Sequence, residues 1–324
     1  MPIYFYLPEQ YMPDSDAQKA WESGGMTQLH ASGKIACAQC WIYQTWLYLR
    51  QAGADVQLVH TLPDTGVIVS LSNCLDQKFR ANQEQFVIAI VADFLPHPGA
   101  SWQIVQNPVH TDSLPRSTFI PLWPQPNIIS RDPIRGDRFE TLAFFGDEPN
   151  LAPELCGEDW KKIFYNSTGV NFEIREAARW SDYSDVDCAL GIRDFTRQKH
   201  IHKPATKLYN AWLAGIPFIG GNDSAFQAER KSPFDYFQVY SPNDIIECVQ
   251  RLKNNMEFRE ETLRHVHKRA REFTPTAIRQ RWLQFFNNII ASEFEVWKKL
   301  SAAQRRVFFL RQKLGFFVDR KMRR

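Results

Sequence analysis

The chain has 324 residues, of which 44% are hydrophobic and 23% charged, as in soluble globular proteins long enough for two domains of ordinary size. No run reaches the roughly 18 apolar residues that a membrane-spanning helix needs, and residues 1–8 lack a basic region followed by an apolar one, so no signal peptide and a cytoplasmic location are expected. The net charge of +3 is uneven: residues 301–324 hold eight bases and one acid, so the body is net negative, and without a groove-reading motif no nucleic-acid partner is expected.

Residues 3–7 read as a first strand, followed by a polar loop containing Ser23-Gly24-Gly25. Apolar residues at helical spacing over 34–51 predict a helix that Ala52-Gly53 closes, and 55–59 is a second strand. Strand, glycine loop, helix, strand is the opening of a doubly wound α/β domain. The loop lacks GxGxxG, and GxxxxGK[ST] is absent, which excludes a dinucleotide fingerprint and a P-loop. Strands follow at 66–70, 86–91, 102–106 and 117–120; the run at 86–91 is continuously apolar, as in a buried parallel sheet. Asp93 and His97 lie just past its carboxyl end, where open α/β sheets bind ligands, and are candidates to take a proton from a hydroxyl. The six cysteines read as reduced core thiols; Cys37-Ala38-Gln39-Cys40 has no second CxxC or His pair to complete a zinc site.

The proline-rich 121–126 stretch reads as a hinge. A second alternation begins with a strand at 140–145 ending in Gly146, then a helix carrying Glu154, Trp160 and Ile163, a strand at 171–174, and a turn and strand over 183–193. Asp185-Val186-Asp187 has the spelling of a metal-binding DxD, but it precedes an apolar strand and reads as a turn with a buried edge. Pro204 suits the first turn of a helix whose apolar face is Leu208, Tyr209, Trp212 and Leu213, with Gly215 as its cap and a strand at 216–219 beyond. Its start carries Lys203 and Lys207 beside unpaired amides and the positive dipole end, which makes an anion site and suggests a phosphate. Further helices are predicted at 223–230, capped by Asp223 or Ser224, at 244–253, at 257–272, and in one long stretch from Pro275 through Trp297.

The run Thr206-Lys207-Leu208-Tyr209-Asn210-Ala211-Trp212-Leu213-Ala214-Gly215-Ile216-Pro217 resembles the donor-binding helix of GT-B glycosyltransferases, in which Ala-x-Gly-x-Pro ends a helix that holds a nucleotide-sugar. The Phe-Phe-Gly at 144–146 and the Ser-Asp-Val-Asp at 184–187 look like the same family, and Gly24-Gly25 resembles its glycine pair near the donor phosphates. The resemblance implies two doubly wound Rossmann-like domains facing a cleft, an acceptor-side domain over 1–125 and a nucleotide-sugar domain over 126–290. The end of a crossing helix and a basic tail follow over 291–324. It implies sugar transfer from a nucleotide-diphosphate sugar to a hydroxyl acceptor, with no metal and no cofactor beyond that co-substrate. Members carry glutamates where this chain has His202 and Asn210, so Asn210 is expected to hold the ribose through a neutral hydrogen bond. The diphosphate is expected on Lys203, Thr206 and Lys207, with Gly24, Gly25, Gly146 and Arg193 close to the donor and Asp223, Ser224 or Glu229 near the sugar hydroxyls. Two other readings fit the same pattern: a nucleotide-sugar epimerase and a GT-B-like scaffold that binds without turnover. The tail over 305–324 alternates bases with Val307, Phe308, Phe309, Leu310, Leu314, Phe316, Phe317 and Val318, so an anionic membrane surface is an expected partner, either directly or in competition with packing on the body.

Overall fold

A computed structural model gives the structure of residues 1–24 and 37–322. The first half builds a wholly parallel sheet from β1 (Ile3–Tyr6), β2 (Val56–Val59), β3 (Gly66–Leu71), β4 (Gln85–Ile90), β5 (Trp102–Val105) and β6 (Ser117–Phe119), in the order β2-β1-β3-β4-β5-β6. Every residue of β3 and β4 is buried, because helices or loops cover both faces and no side chain alternates into water. α1 (Ser15–Gly24) and α2 (Gln44–Gln51) lie between β1 and β2 in the chain. A π segment at Gln39–Tyr43 precedes α2, and its wider turn places Trp41, Ile42 and Tyr43 together in the core.

The second sheet is also parallel. Its strands are β7 (Thr141–Phe145), β8 (Asn171–Arg175), β9 (Cys188–Gly191), β10 (Phe218–Gly220) and β11 (Phe237–Gln238), ordered β11-β10-β9-β7-β8. Leu142 and Phe144 enter one apolar cluster and Ala143 and Phe145 another, so both faces of the pleat are covered. The associated helices are α3 (Glu158–Thr168), α4 (Thr206–Ala214), α5 (Ser224–Glu229), α6 (Pro242–Asn254) and α7 (Met256–Ala270). Two details differ from the sequence reading. Glu154 lies in a separate 3-10 turn ahead of α3, and Ile163 faces outward. α4 starts at Thr206, not Pro204: the Lys203 amide bonds back to His200 O and closes a turn there, leaving Ala205 as the cap residue.

The long helix expected from Pro275 through Trp297 is helical throughout, as α8 (Pro275–Gln284), a π segment and α9 (Ala291–Lys298); α10 (Ala302–Met322) follows after a break. A π segment, Phe285–Ile290, joins α8 to α9 and re-phases the helix, so that Trp282, Phe285, Phe286, Ile290, Phe294 and Trp297 all enter the core of the first sheet. Phe5 meets Trp282 and Phe286 with ring centroids 6.4 Å apart in each pair. Residues 278–290, grouped by sequence with the second unit, therefore pack with the first. Burial of each such side chain stabilises by about 1.5–3 kcal/mol, which fastens the C-terminal helices across both halves. The hinge is pinned on both sides: Trp123 Nε1 donates to Thr45 Oγ1 at 2.8 Å, and Gln125 N donates to Asn210 Oδ1 at 3.0 Å.

Candidate active site

In the second sheet the strand order reverses between β7 and β9, and ligand crevices form at the carboxyl side of such a switch point. Gly146 follows β7, Arg193 follows β9, Asp223 follows β10, and Lys207 stands in the first turn of α4. Lys207 Nζ lies 5.0 Å from the centroid of the Phe144 ring. A Cβ on Gly146 would meet that ammonium at 3.0 Å and the Phe144 ring at 3.1 Å, so the glycine leaves the space that Lys207 uses. Arg193 Nε donates to Asp223 Oδ1 at 3.1 Å, and both residues line the crevice. Burial and the facing Arg193 guanidinium pull Lys207 down to about 8. Burial raises the Asp223 carboxyl above its ordinary value although Arg193 opposes it. Among the described residues, Thr206 Oγ1 is buried without a partner at the same helix start, and no acceptor engages the Thr206 and Lys207 amides. Two cations, open amides and a helix dipole converge there on one point.

The first sheet supplies the opposite wall. Asp93 follows β4 through Ala92, whose φ of +46° is uncommon for a residue with a Cβ and turns the chain sharply at the strand end. Asp93 Oδ1 accepts from Lys203 Nζ at 3.1 Å and from Gln106 Nε2 at 3.2 Å. The same Gln106 amide reaches His202 O at 3.0 Å. Asn107 Nδ2 reaches Lys203 O at 3.1 Å and Ser224 Oγ at 2.9 Å. The end of β5 thus clasps the turn ahead of α4. Beside Asp93 opens a cavity of about 840 Å³, lined among others by Ser72, Asn73, Arg80, Leu95 and Lys313.

No family model matches the sequence, and no curated protein does. Solved structures do match in shape. AviGT4, a glycosyltransferase involved in avilamycin A biosynthesis, superposes with a TM-score of 0.52 at 12% identity, over 78% of this chain and 90% of its own. Anabaena Alr3699/HepE in complex with UDP gives 0.52 at 10% identity, over 89% of this chain and 100% of its own. The pneumococcal O-GlcNAc transferase GtfA, in complex with UDP and GlcNAc, gives 0.50 at 12% identity, over 77% of this chain and 60% of its own. The chain has the GT-B fold.

Within the GT-B cleft Arg193, Lys207 and Asp223 line one crevice, with Gly146 against Lys207 and Thr206 preceding it at the start of α4, and Asp93 is brought to Lys203. Lys203 therefore faces a carboxylate, not an open anion site, and Ser224 is held by Asn107. Four expectations change. His97 is buried with both ring nitrogens engaged: Nε2 pairs with Asp76 O at 2.9 Å, and Nδ1 lies 3.1 Å from the Gly99 amide that donates to it. Burial also lowers its pKa, so it is a neutral brace of its loop and has no lone pair left for a hydroxyl proton. Asn210 is turned away from the crevice, accepting from Gln125 N and bonding Tyr183. Glu229 points into the core, where Tyr209 Oη and Arg269 Nη2 donate to it at 2.9 and 3.0 Å. Gly24 ends α1 and is not in a loop, while Gly25 lies outside the described residues.

Asp187 sits at the amino end of β9, away from the crevice, and takes Arg131, Arg135 and the amides of Glu140 and Thr141, as a buried edge should. Asp185 pairs with Arg175 and Arg179. Burial pushes the Cys37 and Cys40 thiols up to about 12, which keeps them unreactive. Sequence reasoning misses the Gln106–Asn107 clasp. Its one signal in the sequence is Asn107-Pro108, a turn dipeptide, and the turn it holds lies more than ninety residues along the chain.

Proposed function

We propose that this chain transfers a sugar from a nucleoside-diphosphate sugar to a hydroxyl acceptor, without a divalent ion. The observation that carries the reading is the Asp93–Lys203 contact across the cleft: it sets a carboxylate on the rim of a large cavity next to the cationic crevice of the second domain. In this mechanism the diphosphate lies on the amides of α4, with Lys207 and Arg193 facing the charge that grows as the glycosidic bond to phosphate breaks. The acceptor enters from the Asp93 cavity, and Asp93 Oδ2, which has no partner among the described residues, takes its proton. The UDP held by the HepE structure and by the GtfA structure supports a nucleotide donor.

Lys207→Met tests the crevice. A charge-assisted hydrogen bond is worth about 1.5–3 kcal/mol, so nucleoside-diphosphate binding by calorimetric titration should weaken by roughly 10- to 150-fold. A desolvated cation with a depressed pKa opposes folding below that pKa, so the same variant should melt a few degrees higher without ligand. Wild-type affinity should be full below pH 8 and fall as pH rises through about 8, with proton uptake on binding near and above that value. Unchanged diphosphate affinity in Lys207→Met would mean that the crevice is structural.

Metal independence rests on the cationic crevice and on the commitment of Asp185 and Asp187 to arginines. Turnover should persist in excess EDTA; abolition by EDTA and rescue by Mn²⁺ would reverse this. A second reading, binding without turnover, draws on Asn210 being occupied by the hinge. Products formed from donor alone would indicate the epimerase.

A further inference from the structure

We propose that the outward face of α10 seats the protein on an anionic lipid bilayer, with the Asp93 cavity opening beside that contact. The aromatics of this helix are not what the lipid meets. Phe309 is buried, Phe308 packs on Trp297, Phe316 packs against the cluster of Val91, Val105 and Leu114, and Gln312 Nε2 donates to Ala100 O at 2.8 Å. That face is spent on the first domain; the side chains of Phe317 and Val318 lie outside the described ones.

The opposite face is apolar and unpartnered. Val307, Leu310 and Leu314 are 47%, 61% and 68% exposed. At about 100° per residue they fall within a sector of roughly 60°. Arg306 and Lys313 flank it on one side and Arg311 on the other, all exposed, and no hydrogen bond or ion pair engages them among the described residues. A strip of aliphatic side chains edged by free bases matches an anionic headgroup layer in both charge and polarity. It suits a protein surface less well, because the bases face the same way as the leucines.

The same helix reaches the site. Lys313 lines the cavity that holds Asp93, and Leu95, which is 52% exposed, stands on that cavity too. A bilayer against α10 therefore lies beside the cavity. On the functional reading above, the acceptor is an amphiphile resident in that bilayer, whose hydroxyl reaches Asp93. The bilayer contact itself does not depend on that reading.

The test is flotation of the full chain with vesicles of phosphatidylglycerol and phosphatidylcholine, and with phosphatidylcholine alone. Binding to the anionic vesicles that fades with salt is expected. Arg306→Gln/Arg311→Gln should lower the partition coefficient by roughly tenfold or more, and Leu310→Gln/Leu314→Gln should lower it comparably. Both pairs are exposed, so melting temperature and nucleoside-diphosphate titration should match wild type. Absent or salt-insensitive flotation, equal binding to neutral vesicles, or flotation of both variants at the wild-type level would overturn the proposal. So would a dimer in sedimentation that Leu310→Gln/Leu314→Gln dissociates, since the face would then belong to a second copy. Normal flotation with no diphosphate binding would sink the donor reading and leave this surface standing.

Discussion

Asp93→Asn is expected to lower kcat by about 10²–10⁴-fold, the range for loss of a positioned general base, with the donor KM nearly unchanged. Asparagine keeps the shape and can still accept from Lys203 and Gln106, but it cannot take a proton. The ion pair it weakens is a partly exposed one, with the Asp93 side chain 52% and the Lys203 side chain 27% accessible. Such pairs contribute about 0–1 kcal/mol, so the melting temperature should barely move. His97→Gln is the contrasting control. It breaks a buried bond to Asp76 O and disturbs the acceptor of the Gly99 amide, at a cost of about 1–3 kcal/mol in stability. Its kcat should stay within about tenfold of wild type, short of the loss that removal of a base brings. Release of nucleoside diphosphate with acceptor present, beside thermal melts of both variants, gives the comparison. A reversed result, with His97→Gln inactive but stable and Asp93→Asn fully active, would move the base to the imidazole.

Asp187→Ala should have the largest effect on stability. The carboxylate is 1% exposed and accepts from Arg131 Nε at 2.7 Å, Arg135 Nη2 at 2.8 Å, and the Glu140 and Thr141 amides at 2.7 and 3.0 Å. Its removal leaves two guanidinium groups and two amides short of an acceptor, and breaking one side of a buried pair costs about 3–5 kcal/mol. Burial alone would raise this carboxyl; the Arg135 hydrogen bond, the Glu140 amide and Arg131 outweigh it and hold it below the usual 3.8. The sign of the pH effect follows. A depressed carboxylate pKa stabilises the fold above 3.8, and that contribution is lost as pH falls through the lower folded-state value. Urea unfolding at neutral pH should show the deficit, and the variant's stability should depend less on pH than wild type in the acid range. A deficit below about 1 kcal/mol would contradict this account.

The alternation of strands and helices was legible because its signal is local. A parallel strand buried on both faces must be apolar throughout, so β3 and β4 announce themselves, and the αL position after α4 needs Gly215, whose φ is +74°. Lys207 was named from a local feature, a helix start, and Gly146 from the resemblance of 144–146 to GT-B enzymes; the structure sets the two against each other. The π segments were not legible. An extra residue in a helical turn is selected by how Trp282, Phe286 and Phe294 fit against Phe5 and Phe86, and periodicity over one segment carries no information about that fit.

Which polar side chains remain free for chemistry was decided by tertiary structure alone. His97, Asn210 and Glu229 have the right residue types near the right motifs, and each is used up by a partner: Asp76 O, Gln125 N, and the Tyr209–Arg269 pair. Asp93 and Lys203 are 110 positions apart, and the sequence supplied both as candidates but not as neighbours. The sequence by itself determined two α/β units and a helix start that carries Lys207, since hydrophobic period, turn chemistry and backbone polarity act within a few residues. The apposition of Asp93 with that helix start was left to tertiary structure, because it depends on the Gln106–Asn107 clasp and the returning C-terminal helices, whose contacts join residues roughly a hundred or more positions apart.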